Sequence, residues 1–310
     1  YRVVQALEAG PSVIEAVIVG DERNAGGVRR PQGAVRRSAA AGVDQADRFT
    51  NGPLYIIFPI MGLALLSSLL HLGNPLNIAK AVPNLGTSWL SREVVIAVVF
   101  VILVGVYALM QWRKIGNNVL RTVIGWITGL LGLVQVYGMG MVYMIRTQPA
   151  WNTLATPVSF LVTALLLGVA TIAAALIVNN TLLNKGDKKD EQQLEMLRKA
   201  LQGLAIASIA LLGVEFLVTP LYMAYLPSQG VEAMQSLEMM VGTFGVIFAL
   251  RLIFVFVGAG ILAAYIYRNA SILGKEGTLS TLVFSALILI LTGEVMGRFI
   301  FYATHVRIGL

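Results

Sequence analysis

Long apolar runs separated by short polar loops dominate the chain from Pro53 onward. Each run has about 19–27 residues, enough for a helix to cross the ~30 Å hydrocarbon core of a bilayer. Seven such runs are present, at 53–71, 94–112, 119–145, 156–178, 200–223, 242–267 and 279–302. The pattern predicts an all-α, polytopic transmembrane helical bundle in residues 52–310, with the lipid bilayer as its surroundings.

Residues 1–51 follow a different pattern, in which Arg, Ala, Gly and Val dominate. Their longest apolar run, 16–20, is too short to cross a membrane. The segment also lacks the ordered basic, apolar and small-residue regions of a secretory signal. We therefore expect residues 1–51 to be a poorly ordered or non-native N-terminal segment, separate from the transmembrane domain at 52–310.

Composition supports a membrane protein and limits its chemistry. The chain is 57% hydrophobic and 13% charged, whereas a soluble domain has roughly a quarter charged residues. The net charge of +7 is expected in cytoplasmic loops and gives no reason to predict nucleic acid as a partner. Because the chain has no cysteine and two histidines, we expect it to contain no haem, metal or iron–sulfur cluster of its own.

The distribution of Lys and Arg predicts the orientation of the bundle. Alternate loops carry ten Lys and Arg residues on one side and four on the other. The richer set is expected to be cytoplasmic by the positive-inside rule. The cytoplasmic loops are then 113–121, 179–199 and 268–278, and the outer loops are 72–93, 146–155 and 224–241.

Charged side chains within the apolar runs gather toward the predicted outer side. Glu215, Glu294 and Arg298 lie in the outer halves of their spans, and Arg251 is nearer the middle of its span. The inner halves contain few polar groups apart from residues such as Thr171. Charges at membrane depth are costly and commonly functional, so this asymmetry predicts a site open to the outer leaflet.

Some of these charges have simpler explanations. Glu294 and Arg298 stand at i, i+4 with the acid first, which favours a structural ion pair as much as a functional one. Glu215 and Arg251 suggest a second structural pair. Glu93 alone is compatible with a carboxylate that stabilises a helix start after Ser91.

His71 and Glu93 nevertheless suit the oxidation of a hydroquinone. His71 ends the first apolar run, and Glu93 comes just before the second. Oxidation of a quinol removes two electrons and two protons, and a neutral imidazole and a carboxylate can each accept one proton. Gly73, Asn74 and Pro75 interrupt the helix between them and leave backbone groups to line a pocket.

Three motifs carry a resemblance to a known family: His71-Leu-Gly-Asn-Pro-Leu, Ser88-Trp-Leu-Ser-Arg-Glu93 and Gly293-Glu-Val-Met-Gly-Arg-Phe-Ile-Phe-Tyr302. Over about 52–310 the chain resembles the membrane anchor subunit of dimethyl sulfoxide reductase. The resemblance implies a haem-free, all-helical subunit of a bacterial or archaeal inner membrane. It implies two partners, an iron–sulfur electron-transfer subunit and a molybdopterin catalytic subunit.

The resemblance also implies that the subunit oxidises menaquinol near the periplasmic face. The quinol-site histidine and glutamate of the family fall on His71 and Glu93. We add Asn74, Arg92, Glu294 and Arg298 as candidate quinol-binding residues. The family has eight spans and begins with a hydrophobic helix, whereas seven are recognisable here.

Two alternatives remain open from the sequence. A related anchor of a polysulfide or nitrite reductase complex would share the fold, and a proton-conducting version would carry titratable groups through its inner half. A small-solute transporter would favour inverted repeats with spans broken at matching positions, and the sequence has neither. The terminal electron acceptor is a property of the partner catalytic subunit.

Overall fold

The computed structural model describes residues 59–64, 66–67, 83–183, 191–266 and 276–309. They belong to the compact unit Ala46–Leu310. The predicted N-terminal segment 1–51, together with His71 and Asn74, lies outside the described residues.

Helices account for nearly all of the described chain, and these ranges contain no strand. The longer helices are α1 Trp89–Arg113, α2 Asn118–Val142, α3 Ala155–Leu183, α4 Glu191–Tyr225, α5 Val231–Glu238, α6 Gly245–Gly260 and α7 Glu276–Ala303. A 3-10 turn, Leu226–Gln229, joins α4 to α5. Two π-helical segments, Met239–Thr243 and Ile261–Ile266, flank α6.

Six helices in the described ranges are long and apolar enough to cross a membrane. They are Trp89–Arg113, Asn118–Val142, Ala155–Asn180, Glu195–Gln229, Gly245–Ala264 and Leu279–Ala303. The predicted all-α polytopic bundle is therefore confirmed, and these helices match six of the seven predicted spans. The remaining span, 53–71, lies mostly outside the described residues, although 59–64 and 66–67 are helical. The inside–outside orientation stays a prediction.

A polar cap fixes where α1 begins. The Ser88 side chain accepts a hydrogen bond from the Ser91 amide at 3.3 Å, so α1 starts at Trp89. Glu93 is consequently beyond the first turn of α1, which contains no acidic residue. Because the helix dipole acts mainly within the first turn, the explanation of Glu93 as a helix-start residue is weakened.

A four-helix core is built from α3, α4, α6 with the π-helical segment that follows it, and α7. Its buried apolar residues are Leu166, Ala170, Ala173, Ala174, Leu176, Ile177, Leu197, Leu201, Ala205, Val255, Ala259, Leu262, Val283, Ala286 and Ile290. Glycines bring α6 and α7 together, since a Cβ on Gly258 would lie 2.8 Å from Ile290 Cγ1, and one on Gly293 2.6 Å from Val255 Cγ2. Small residues allow such close backbone approach between membrane helices.

The α1–α2 pair packs outside this core and contributes no residue to it in the described chain. Its contact with α3 is close at Gly140, where a Cβ would lie 2.6 Å from Pro157 Cα. Large apolar side chains such as Val99, Ile102 and Trp126 are exposed on the pair. A surface of this composition is suited to lipid or to another apolar partner.

An aromatic cluster closes one end of the bundle. We use this name for Tyr143, Trp151, Phe160, Phe301 and Tyr302, whose rings contact one another with centroids 5.0–6.2 Å apart. Trp151 donates its indole N–H to the Phe301 carbonyl at 3.0 Å. These contacts hold the loop between α2 and α3 against the end of α7.

Candidate functional site

Glu93 forms a polar contact between α1 and α2. Its Oε1 accepts a hydrogen bond from Gln135 Nε2 at 3.1 Å, and Gln135 is 8% exposed. The Gln135 Oε1 atom is buried and has no hydrogen-bond partner within the described residues. We call Glu93 and Gln135 the Glu93 site. Sequence reasoning missed Gln135, because a neutral amide within an apolar run carries no charge to attract attention.

Arg92 points to the loop that precedes α1. It donates from Nε to the Leu85 carbonyl at 2.8 Å and from Nη2 to the Gly86 carbonyl at 2.7 Å. Its guanidinium carbon also lies 4.7 Å from the ring centre of Trp89. Arg92 thus fixes the loop next to the Glu93 site. Its predicted contact with quinol, like that of His71 and Asn74, stays a prediction.

Glu294 and Arg298 do not form the ion pair suggested by their spacing. Glu294 is 3% exposed, and its Oε2 accepts a hydrogen bond from Thr163 at 2.7 Å. The Arg298 guanidinium lies 3.6 Å above the ring centre of Phe160. Both partners are on α3, and an i, i+4 pair contributes only about 0.2–0.5 kcal/mol, so contacts between helices can override it.

Glu215 and Arg251 do form an ion pair. Arg251 Nη2 lies 2.5 Å from Glu215 Oε1, which joins α6 to α4 in a partly buried position. Gly297 on α7 makes room for the arginine, because a Cβ there would lie 2.5 Å from Arg251 Nε. Gly297, the second glycine of the third motif, therefore leaves the space that the Arg251 side chain occupies.

A cavity of about 100 Å³ lies between α3, α4, α6 and α7. Four charged residues line it: Glu215, Arg251, Glu294 and Arg298. We call it the polar cavity. Its hydroxyl-bearing residues are Thr156, Ser159, Thr163, Thr219, Tyr222 and Thr304, and its apolar ones include Met240 and Phe248. Glu93 is not among the lining residues. The candidate residues in the described chain therefore fall into two places, the Glu93 site and the polar cavity.

Tyr143 directly follows α2 and belongs to the aromatic cluster. Its hydroxyl is 2.7 Å from that of Tyr302. Burial raises the pKa of Tyr143, and the hydrogen bond with Tyr302 raises it further, so the phenol stays neutral at physiological pH. No pattern in the sequence pointed to this residue, because a tyrosine at a helix end is common in membrane proteins.

A further polar cluster lies where α1 ends and α2 begins. Arg121 is 8% exposed and donates to Gln111 Oε1 at 2.7 Å, and it also bonds Asn118. Gln111 in turn donates to the Tyr107 hydroxyl at 3.5 Å. Arg121, which the sequence assigned to the loop 113–121, therefore packs inward at the start of α2.

The described residues offer no group of three or more His, Cys, Asp or Glu side chains that could hold a metal ion. The polar groups that they bring together are single carboxylates paired with amide, hydroxyl or guanidinium groups. Such groups are suited to hydrogen bonding and proton transfer.

Comparisons with known proteins cover most of the chain. The family model described as DMSO reductase anchor subunit (DmsC) matches residues 44–304. The chain is 26% identical over 257 residues to the C subunit of the anaerobic dimethyl sulfoxide reductase of Haemophilus influenzae, covering 83% of this chain and 82% of that protein.

Two Escherichia coli K12 proteins are similar over the same shares of each sequence, 83% and 82%. The anaerobic dimethyl sulfoxide reductase subunit YnfH is 26% identical over 261 residues. The C subunit of the anaerobic dimethyl sulfoxide reductase of the same organism is 24% identical over 262 residues. No solved structure matches the chain.

Proposed function

This chain belongs to the dimethyl sulfoxide reductase anchor subunit (DmsC) family, and from that membership we propose that it oxidises menaquinol and passes the electrons to a partner subunit. As a member of that family it is a multi-pass inner-membrane protein and the anchor subunit of an oxidoreductase complex. Such a complex has catalytic and electron-transfer partner subunits. We propose that these are a molybdopterin subunit and an iron–sulfur subunit.

The position of Glu93 is the observation that carries the proposal. A carboxylate beyond the first turn of α1 is not explained by capping, and its only hydrogen bond in the described chain comes from Gln135. Its other oxygen accepts no hydrogen bond from the described residues and is free to meet a quinol hydroxyl. A carboxylate in a partly buried position is a suitable general base.

In the proposed reaction one quinol hydroxyl gives its proton to Glu93 and the other gives its proton to His71. The ring becomes a quinone as two electrons leave for the iron–sulfur partner. Asn74 and Arg92 would hold the quinol ring and the loop around it. Glu294 and Arg298 line the polar cavity, so we place them in an indirect role rather than in direct contact with the ring.

The basic loops support placing the Glu93 site on the periplasmic side. We expect the loops at 113–121, 179–199 and 268–278 to be cytoplasmic. Because the chain has no cysteine, single cysteines at Lys188 and Lys80 can be labelled in intact cells with a reagent that does not cross the membrane. The residue at 80 should react and the residue at 188 should not; the reverse pattern would invert the topology.

Glu93→Gln tests the proposed site. The amide keeps the shape and loses the proton acceptor, so quinol-driven reduction of the terminal acceptor should fall by about 10²-fold or more. Reduction driven by an artificial dye that feeds the catalytic subunit directly should be unchanged. The measurement compares both activities in membranes of the whole complex.

Glu195→Gln is the matched control, because Glu195 is an exposed helix carboxylate that pairs only with Arg198 and Lys199 in the described chain. It should retain both activities. Should Glu93→Gln also retain both, Glu93 is not the proton acceptor. Loss of both activities in Glu93→Gln would mean that the residue is required for assembly.

A related anchor function, in a polysulfide or nitrite reductase complex, is the second candidate. The names of the three relatives favour dimethyl sulfoxide reductase instead. Nothing in the described structure or in the family membership favours the small-solute transporter.

A further inference from the structure

Three buried polar atoms around the polar cavity have no hydrogen-bond partner within the described chain. They are Glu294 Oε1, Glu215 Oε2 and Arg251 Nε. Glu294 is the most buried of the charged residues there, at 3% exposure. A buried polar atom without a partner costs about 1–3 kcal/mol, so an occupant that donates and accepts hydrogen bonds would stabilise this arrangement.

Water fits the space and its lining. The cavity measures about 100 Å³, and one water molecule needs on the order of 10–15 Å³ of such volume. Six hydroxyl-bearing residues and four charged ones supply the two to four polar partners that a buried water requires. An apolar occupant would leave those groups unsatisfied.

We propose that the polar cavity is a hydrated proton site, in which water fills the space and Glu294 binds and releases a proton through Oε1. Binding forms an O–H bond on the carboxylate, and release returns the proton to cavity water. No electron is transferred. Thr163 holds the other oxygen at 2.7 Å and so fixes the carboxyl group with Oε1 as the exchanging atom.

The charges that face Glu294 permit this exchange. Arg251 on α6 is committed to Glu215 on α4, whereas Arg298 on α7 makes no ion pair within the described residues. Tyr222 on α4 and Thr163 on α3 also line the cavity. Two guanidinium groups therefore balance two carboxylates, and one added proton changes the local charge by a single unit without separating Arg251 from Glu215.

Polar side chains lie along α7 from Glu294 to the aromatic cluster. Glu294, Arg298 and Tyr302 are spaced four residues apart and share one face of α7. Tyr302 meets the Tyr143 hydroxyl at 2.7 Å.

Radiolytic labelling of the full-length protein in lipid nanodiscs tests the water. Brief X-ray pulses in water enriched in the heavy oxygen isotope oxidise methionines that are next to ordered water, and the added oxygen carries the label. Met240 lines the cavity and Met110 does not, yet both are 7% exposed. Met240 should take up label several-fold faster than Met110. Equal and slow labelling of the two would show that the cavity is dry and would overturn the proposal.

Infrared difference spectroscopy tests the proton, in the same sample without quinol. On acidification the wild-type protein should gain a protonated-carboxyl band that shifts in D2O. The band should be lost in Glu294→Gln and kept in Glu195→Gln. Identical wild-type and Glu294→Gln spectra would contradict proton exchange at Glu294.

Thr163→Val provides a second measurement if Glu294→Gln fails to fold. It keeps the carboxyl group and removes its hydrogen-bond donor, so the band should move in frequency rather than disappear. An unmoved band would also overturn the proposal. Because neither spectroscopic nor labelling measurement contains quinol, their failure is separate from failure of the quinol assignment.

Discussion

The two regions that hold charged groups differ in how they are packed. In the four-helix core, Glu215 and Glu294 are buried among α3, α4, α6 and α7, and Arg251 is partly buried. On the α1–α2 pair, Glu93 is partly buried and is held by a single side-chain hydrogen bond from Gln135. The core thus surrounds its charges on several sides, whereas the pair leaves one carboxylate available.

This difference in packing predicts that substitutions in the two regions have different effects. Removing a charge in the core leaves a partner in a low-dielectric site, which costs far more than losing one exposed pair. Removing the carboxylate on the α1–α2 pair leaves one neutral amide donor, Gln135 Nε2, without its acceptor. We therefore expect core variants to reduce the amount of folded protein and variants of the Glu93 site to reduce quinol oxidation.

Arg251→Ala should have the largest effect on folding. It leaves Glu215 as an unpaired buried charge, and the expected loss is about 3–5 kcal/mol in the free energy of unfolding. Denaturation of the purified protein in detergent measures it. The double variant Glu215→Leu with Arg251→Leu should recover most of the loss, because it removes both charges.

Arg298→Ala should lower the free energy of unfolding less than Arg251→Ala does. Its guanidinium stacks on Phe160 and makes no ion pair in the described chain, so its removal should cost less than removal of Arg251. An Arg298→Ala loss as large as that of Arg251→Ala would mean that the two arginines serve the core equally, and the comparison drawn from their contacts would fail.

Gly297→Ala should have an intermediate effect. The added Cβ would lie 2.5 Å from Arg251 Nε, and crowding of this kind costs about 1–3 kcal/mol. The control is Gly213→Ala on α4, where nothing lies within 4 Å of the added atom. The midpoint of denaturation should fall for the first variant and hold or rise slightly for the second.

Gln135→Leu should have the smallest effect on folding and a clear effect on activity. The free energy of unfolding should change by about 1 kcal/mol or less, while quinol-driven activity falls about 10-fold as Glu93 loses its orientation. Thr128→Val on the same helix is the control, because Thr128 bonds only the Ile124 carbonyl in the described residues. Unchanged activity in Gln135→Leu would show that Gln135 does not orient Glu93 for quinol oxidation.

Apolar length predicted the spans well, because each must cross the same thickness of lipid. The predicted run 119–145 corresponds to Asn118–Val142. The run 200–223 was too short, since α4 begins at Glu191 and its first turns carry polar residues such as Glu195 that an apolar criterion rejects. The π-helical segments beside α6 were not predictable, because they depend on packing rather than on composition.

The sequence predicted which charged residues belong to the candidate site, but it did not predict which side chains they contact. Charges at membrane depth drew attention to Glu93, Glu294 and Arg298 because hydrocarbon penalises them. Which of them meet depends on rotamers and on partners from other helices. The contacts of Glu294, Arg298 and Glu93 are determined by three partners on other helices: Thr163, Phe160 and Gln135. Each partner is an ordinary residue for an apolar run.

The two π segments have a consequence for how α6 is compared between relatives. A wide turn accommodates one residue more than an α-helical turn, and one residue corresponds to about 100° of rotation about the helix axis. A single helical wheel drawn through 231–266 therefore assigns Met240 and Arg251 to the wrong relative directions. A one-residue gap aligned at Met239–Thr243 or Ile261–Ile266 should be interpreted as a change of helical phase, which turns every later side chain while leaving the span intact.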